Sequence, residues 1–191
     1  YRSKPKTLQV NLGYKCNQAC SHCHVNASPL RTEMMSEEIL SLIPKAIKMY
    51  QLEVLDITGG APEIHPSFKK LILKASDLNI EIIDRCNLTI LKEKGYEGLV
   101  DFLANNKVRI VASLPCYIED NVDNQRGKGV YKKSIDALIA LNKVGYGVKG
   151  TGLRLDLVFN PIGAKLPPPE KQLEIDYKYH LFDKYQIEFN N

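Results

Sequence analysis

The sequence is short of several features that would place it in a specialised class of protein. It has no tryptophan, three methionines and five cysteines in 191 residues, and no apolar run approaches the roughly 20 residues of a membrane-spanning helix. We therefore expect no membrane span and, with an odd number of cysteines, no disulfide framework. The net charge of +4 is too small and too evenly spread to indicate a nucleic-acid partner.

What the sequence does have is enough apolar material for one hydrophobic core. Hydrophobic residues make up 44% of the chain and charged residues 25%, a balance that excludes disorder, collagen-like repeats and coiled coils. Because no secretory signal pattern is visible, we expect a cytoplasmic protein, or one in a reducing organelle compartment, and not a secreted one.

Short apolar runs alternate with longer helical patterns along the whole chain. Strands are predicted at residues 8–12, 54–58, 80–84, 108–114, 153–159 and 187–189. Helices are predicted at 37–50, 68–78, 96–105, 131–145 and 170–185, and the polar stretch 119–129 is predicted to be a loop. This alternation is typical of βαβ units, so we expect an α/β fold, either a doubly wound sheet or an incomplete β/α barrel.

The unusual residues fall where the predicted strands end. In both candidate folds, ligands bind beyond the carboxyl ends of the strands. A cysteine cluster follows the first strand, and the later strand ends carry Gly59-Gly60, residues 84–87, residues 115–117 and Asn160-Pro161. Because no helix follows the last predicted strand, we expect residues 1–191 to be one core domain whose natural chain continues past residue 191.

Three of the five cysteines, Cys16, Cys20 and Cys23, form a C-x3-C-x2-C pattern. Three thiolates on one loop can hold a zinc ion if His22 or His24 supplies the fourth ligand. They can also hold a four-iron cluster that leaves one iron open, because such clusters normally take four cysteines. The spacing alone leaves both metal sites possible.

The pattern C-x3-C-x-aromatic-C, with His22 in the aromatic position after the first strand of a β/α chain, resembles the radical S-adenosylmethionine (SAM) superfamily. The resemblance implies an incomplete (β/α)6 TIM-like barrel of the radical SAM type. It also implies a [4Fe–4S] cluster on Cys16, Cys20 and Cys23, with SAM chelated by the open iron. One electron, supplied by a donor such as flavodoxin or ferredoxin, would cleave the sulfonium and give a 5′-deoxyadenosyl radical.

The resemblance also implies a set of SAM-binding residues at the strand ends. Gly59 and Gly60 occupy the place of the superfamily's double-glycine motif, where a missing Cβ lets the backbone approach the cofactor. Ala61 stands where the superfamily commonly has glutamate, and Glu63 lies two residues later. The remaining candidates are His22, Pro62, Asn87, Ser113 and Asn160, of which the last three have strand capping as their alternative role.

A narrower resemblance links the chain to the arsenosugar-biosynthesis radical SAM proteins. It is carried by residues 7–11, 20–25, 56–63, 84–89 and 112–117. This resemblance implies transfer of the 5′-deoxyadenosyl group to a trivalent methylated arsenical. It also implies a further cysteine-rich domain on the carboxyl side, which this sequence does not contain.

The two remaining cysteines suggest how an arsenical would be held. Cys86 and Cys116 follow the third and fourth predicted strands, and soft trivalent arsenic prefers thiolate ligands. We therefore predict that Cys116, together with Cys86, binds the substrate arsenic; the alternative is that both are small buried hydrophobes. Two rival functions remain, namely a radical SAM enzyme with a sulfur, selenium or peptide acceptor, and a zinc-stabilised β/α binding module.

Overall fold

The strands of residues 3–161 and 166–191, the part of the chain that the computed structural model describes, form one parallel sheet. They are β1 (Thr7–Asn11), β2 (Val54–Thr58), β3 (Glu81–Asp84), β4 (Arg109–Ser113) and β5 (Leu155–Val158). Each strand pairs with the next one along the chain, so the sheet order is β1-β2-β3-β4-β5. A doubly wound sheet reverses its order part-way. The observed order is that of an open barrel, which confirms the predicted α/β incomplete barrel.

Helices follow the strands as the sequence pattern predicts, with ends that shift by a few residues. They are α1 (Glu37–Tyr50), α2 (Phe68–Ser76), α3 (Leu99–Asn105), α4 (Glu119–Arg126), α5 (Val130–Lys143) and α6 (Glu170–Tyr185). Single 3-10 turns, which the sequence pattern did not predict, form at Pro62–Ile64 and Thr89–Lys92. No helix in the described ranges is both long and apolar enough to cross a membrane.

The predicted loop at residues 119–129 is wrong, because most of it is helix α4. Glu119 and Asp120 lie in its first turn and Arg126 in its last, where each charge interacts favourably with the helix dipole. The carboxylate of Asp123 accepts hydrogen bonds from the backbone N–H groups of Gly129 and Tyr131, which joins α4 to α5. Local electrostatics and the contact with α5 therefore favour a helix where the apolar pattern indicates none.

The segment 187–191 occupies the place of the predicted sixth strand without forming a strand. The N–H of Asn190 donates to the carbonyl of Leu155 at 2.7 Å, and the N–H of Leu157 donates to the carbonyl of Asn191 at 2.8 Å. Ile187 and Phe189 are buried against the core. The segment thus covers the outer edge of β5, and the described part of the chain contains five assigned strands.

The sheet has two faces of different character, because alternate strand residues point to opposite sides. On the face covered by the helices, one row of register partners runs across four strands: Ile57, Asp84, Ile110 and Leu155. All four side chains are fully buried, and the three apolar ones belong to the main core with α2 and α5. Asp84 is the one charged member of this row. The opposite face lines the cavities described below.

Candidate functional site

The predicted cysteine ligands lie together at the carboxyl end of the sheet. Cys16, Cys20 and Cys23 are free thiols on the loop between β1 and α1, and all three line a cavity of about 290 Å³. Residues from every other strand end contribute to the same cavity: Gly59, Gly60, Asn87, Ser113 and Asn160. The sequence therefore located the cavity correctly through the rule for strand ends.

Backbone hydrogen bonds attach the cysteine loop to the double-glycine turn. The N–H of Gly60 donates to the carbonyl of Gly13 at 2.9 Å, and the N–H of Ala61 donates to the carbonyl of Lys15 at 3.0 Å. A Cβ added to Gly60 would lie 2.5 Å from the carbonyl oxygen of Lys15, and one added to Gly59 would lie 2.8 Å from that of Gly13. The glycines line the cavity, as expected, and in addition they let the loop pack closely on the turn.

Two of the cysteine sulfurs accept N–H hydrogen bonds. Cys16 Sγ accepts from the backbone of Gln18 and from Asn87 Nδ2, each at 3.4 Å, and Cys23 Sγ accepts from the backbone of Ala27 at 3.2 Å. Burial raises the pKa of Cys16, and its two hydrogen bonds act in the opposite direction because N–H donors favour a thiolate. Such donors also tune the potential of an iron–sulfur cluster. The loop therefore suits thiolate ligands.

His22 and Arg126 bring unused polar atoms to the cavity. Within the described residues, His22 Nδ1 and Arg126 Nε are buried and have no hydrogen-bond partner. Burial, followed by the charge of Arg126, lowers the pKa of His22, so the imidazole is neutral at pH 7. The guanidinium of Arg126 donates to the carbonyls of Ser113 and Asn87. Its Nε–H is a donor for an anionic group, such as a carboxylate, in the cavity.

The amide-bearing candidates combine a contact with the cavity and a structural role. Asn87 Nδ2 donates to Asn17 Oδ1 at 2.8 Å as well as to Cys16, while Asn87 Oδ1 accepts from the backbone of Ile90 and so caps the 3-10 turn there. Asn160 accepts from Gln125 Nε2 through its backbone carbonyl. Asn87 thus lines the cavity and also stabilises the turn that follows it, while its role in binding SAM stays a prediction.

Ala61 and Pro62 do not line this cavity, contrary to their assignment with the SAM-binding residues. Ala61 is buried in a small apolar cluster with Cys16 and Ala27, underneath the cysteine loop. Pro62 begins the 3-10 turn that leads away from the cavity. Without the glutamate that the superfamily commonly has at position 61, this part of the motif supports the loop rather than the cavity.

Among the residues that line the cavity without a role assigned from the sequence are two with long polar side chains, Gln18 and Arg85. Gln18 is buried between the cysteines, and its Nε2 donates to Thr89 Oγ1 at 2.8 Å. Arg85 donates to both carboxylate oxygens of Asp56, at 2.7 and 2.8 Å. No motif marks Gln18. For Arg85, the available signal was its positive charge, which is opposite to that of Asp56 on the neighbouring strand.

Neither Cys86 nor Cys116 lines the 290 Å³ cavity. Cys86 is fully buried, its sulfur accepts the N–H of Leu88 at 3.2 Å, and burial raises the pKa of its thiol well above the ordinary value. Cys116 is half-buried, and its sulfur accepts from Asn121 Nδ2 at 3.4 Å. Cys86 therefore has the buried environment of the alternative reading, whereas the substrate contact of Cys116 stays a prediction.

A second cavity of about 490 Å³ adjoins the first along the same face of the sheet. The two cavities share Arg85 and Val111, and the second is also lined by Arg109, Asp156 and Tyr177. Arg109 donates to Asp156 at 2.6 Å and to Glu81 at 3.2 Å. The inner face of the open barrel thus offers a polar space next to the cysteine loop.

Comparison with known families agrees with this arrangement. The model of the Radical SAM superfamily matches residues 10–158, which include the cysteine loop and the ends of all five strands. The chain belongs to the radical SAM superfamily. Members of this superfamily are iron–sulfur enzymes, and their cofactors are a [4Fe–4S] cluster and SAM.

Curated relatives within the radical SAM superfamily have several different names. The chain is 28% identical over 133 residues to the putative peptide biosynthesis protein YydG of Bacillus subtilis, a match that covers 68% of this chain and 42% of YydG. It is 25% identical over 140 residues to the sporulation killing factor maturation protein SkfB of the same organism, with 73% and 33% covered. A probable GTP 3′,8-cyclase of Sulfurisphaera tokodaii is 28% identical over 74 residues, with 39% and 24% covered. The chain thus spans less than half the length of each relative.

Solved radical SAM structures share the fold. Streptococcus suis SuiB bound to S-adenosylmethionine superposes with a TM-score of 0.67 at 18% identity, covering 93% of this chain and 37% of SuiB. SuiB bound to the precursor peptide SuiA gives 0.68 at 17% identity, covering 98% and 42%. A tagged anSMEcpe with bound AdoMet gives 0.63 at 14% identity, covering 97% and 63%.

Proposed function

We propose that this chain is the catalytic core of an enzyme that cleaves SAM reductively. The observation that carries this proposal is that three free cysteines line one cavity with the double glycine, Asn87 and Ser113. The donor set fits an iron–sulfur cluster, because three thiolates on one loop leave one iron for SAM. The buried, unpartnered N–H of Arg126 fits the carboxylate of SAM.

The residues of the chain prepare this site in three ways. When bound, the cluster supplies the electron that cleaves the carbon–sulfur bond of SAM. Gln18, Asn87 and Ala27 donate N–H hydrogen bonds that hold two of the sulfurs in place. Gly59 and Gly60 keep the loop close to the sheet, and Arg126 offers its buried Nε–H to an anionic ligand.

For the acceptor, we propose a trivalent methylated arsenical that receives the 5′-deoxyadenosyl group, which would make the enzyme an adenosyl transferase. The support is the sequence resemblance of residues 56–63, 84–89 and 112–117 to arsenosugar-biosynthesis proteins. Cys116 is the thiolate candidate for arsenic, because it is half-buried and follows β4 three residues after Ser113. The burial of Cys86 removes it from this part of the proposal.

A peptide acceptor is the second candidate, and the names of the relatives favour it. YydG is named as a peptide biosynthesis protein, SkfB as a maturation protein, and SuiB has been solved with its precursor peptide SuiA. The second cavity of about 490 Å³ gives an acceptor side chain room next to the cysteine loop. Either acceptor requires a low-potential electron donor such as flavodoxin or ferredoxin. The free thiols support a reducing compartment.

One anaerobic experiment tests the cofactor and the acceptor in sequence. Protein reconstituted with iron and sulfide is reduced with dithionite in the presence of SAM, and 5′-deoxyadenosine is measured by mass spectrometry. We expect iron, acid-labile sulfide and 5′-deoxyadenosine. Protein that takes up zinc in place of iron and forms no 5′-deoxyadenosine would contradict the enzyme and favour the zinc-stabilised binding module.

The same reaction is then run with dimethylarsinous acid. An adenosylated arsenic product supports the arsenical acceptor, and the Cys116→Ser variant is expected to lose that product while its SAM cleavage continues. SAM cleavage without any arsenic adduct would contradict the arsenical and leave the peptide acceptor as the candidate to test.

A further inference from the structure

A second group of ligand-type side chains lies on the helix-covered side of the sheet, away from the cavity. Glu63 comes from the 3-10 turn after β2, Asp84 is the last residue of β3, and Cys86 follows two residues later. One ligand atom from each residue lies within 4.8 Å of the other two. The exposed fractions of the three residues are 6%, 0% and 0%, and none of them lines the 290 Å³ cavity.

The two carboxyl groups of this cluster lack the partners that buried carboxylates normally have. Both oxygens of Glu63 and both oxygens of Asp84 are buried without a hydrogen-bond partner, and within residues 3–161 and 166–191 no lysine or arginine pairs with either group. A buried carboxylate without compensation is strongly unfavourable. The cluster therefore needs protons or a cation to neutralise it.

The other buried aspartates of the sheet, Asp56 and Asp156, are paired with arginine side chains of the same chain. Asp56 accepts two hydrogen bonds from Arg85 and one from Gln9 at 2.8 Å. Asp156 accepts from Arg109 at 2.6 Å. Glu63 and Asp84 have no such cation, so the missing charge has to come from outside the chain.

The chemistry of the three groups selects among possible cations. Two carboxylates alone would suit Mg²⁺ or Ca²⁺, but these ions take oxygen ligands and not sulfur. A thiolate beside carboxylates suits Zn²⁺, which accepts cysteine, aspartate and glutamate. Burial, followed by the charges of Glu63 and Asp84, raises the pKa of the Cys86 thiol, against the smaller opposing effect of the Leu88 N–H, so a bound cation has to displace the thiol proton. Burial raises the pKa of both carboxyl groups, so protons take the place of the cation when no metal is available.

We propose that Glu63, Asp84 and Cys86 bind a structural Zn²⁺ ion that is separate from the cysteine loop. Glu63, Asp84 and Cys86 would supply three ligands, and a water molecule would take the fourth tetrahedral position. The ion would tie the turn after β2 to the end of β3. Because Asn87, the residue after Cys86, contacts Cys16, the ion would also support the cysteine loop from below.

Elemental analysis of the reconstituted holoenzyme tests the proposal, with zinc and iron measured in the same sample. Iron occupies the cysteine loop, so zinc reports on the second site. We expect about one zinc per chain in the wild type, and a zinc content at least about tenfold lower in Glu63→Gln, Asp84→Asn and Cys86→Ala. Cys116→Ala is the matched control and should keep its zinc. Retained iron in each variant shows that the fold is intact.

Crystals of the wild-type holoenzyme give a second readout that does not depend on variant folding. An anomalous difference peak at the zinc absorption edge, between Glu63, Asp84 and Cys86, supports the site. No peak there after refolding with Zn²⁺, or a zinc content that none of the three substitutions lowers, would overturn the proposal. The result is independent of the proposed SAM chemistry, which involves other residues and another metal.

Discussion

Asp56 and Asp84 are buried aspartates on neighbouring strands, and they differ in which face of the sheet they occupy. Asp56 lies on the cavity face and is paired with Arg85, whereas Asp84 lies on the helix-covered face between Ile57 and Ile110 and has no partner among the described residues. On the cavity face, charge is balanced within the chain, which leaves a polar and ordered space for ligands. On the helix face, the cluster of Glu63, Asp84 and Cys86 has no compensating positive charge among the described residues, and an apolar core surrounds it.

Removing a ligand from the cavity face should have the largest effect. We expect Cys20→Ala to lose its iron and to form no detectable 5′-deoxyadenosine, because two cysteines cannot hold the cluster. Iron analysis and mass spectrometry check the two losses. Cys116→Ala, which lies outside the loop, should retain iron. A Cys20→Ala protein with full iron content would break the assignment of the cavity face.

Substitution of two adjacent residues of β4 compares how tightly the two faces of the sheet are packed, through the free energy of unfolding. Ile110 is fully buried on the helix face, and Val111 is half-buried on the cavity face. We expect Ile110→Ala to lower the free energy of unfolding by about 2–5 kcal/mol, and Val111→Ala to lower it by about 1 kcal/mol, since a buried side chain leaves the larger cavity. Urea denaturation measures both. Equal losses would show that the two faces are packed alike.

Gly60→Ala tests how the double-glycine turn supports the cavity face. The added Cβ would lie 2.5 Å from the carbonyl oxygen of Lys15, so the cysteine loop has to move. A displacement of about 1 Å at a catalytic site can cost about 10²-fold in rate, and we expect a loss of that order in SAM cleavage. Single-turnover formation of 5′-deoxyadenosine measures it. An unchanged rate would mean that the loop has room that the structure does not provide.

The smallest effect is expected when the balanced charge of the cavity face is disturbed. Asp56→Asn removes the partner of Arg85, whose side chain is 42% exposed and can turn to solvent. We expect a loss of about 1 kcal/mol in the free energy of unfolding, measured in urea. Zinc content should stay unchanged, which separates this carboxylate from Asp84. A fall in zinc would mean that the two faces are not independent.

The frame of the fold and the location of the cavity could be predicted from the sequence, because both rest on regular signals. Apolar runs mark the strands, and the cysteine spacing lies at a strand end where ligands of β/α folds bind. Helix α4 could not be predicted in this way, because Val122 is the one buried hydrophobic residue among its eight. Its terminal charges act locally and leave no hydrophobic period in the sequence.

The buried environment of Cys86 could not be predicted from the sequence either. Strand β3 has the sequence Glu-Ile-Ile-Asp, with one isoleucine on each face of the sheet. The apolar pattern therefore does not indicate which face is covered by the helices. Only the register, which pairs Asp84 with Ile57 and Ile110, shows that this side chain points into the core. Cys86, two residues after Asp84, is buried on the same side of the sheet.

The hydrogen bonds from Gly60 and Ala61 to the cysteine loop have an entropic consequence. They fix the backbone of residues 13–16 when the sheet forms, before any cofactor arrives. Ordering one residue costs roughly 1–2 kcal/mol of conformational free energy, and this cost then falls on folding instead of on cofactor binding. The backbone at Gly13 and Lys15 is therefore held by the fold itself, which leaves less ordering to be done during cluster assembly.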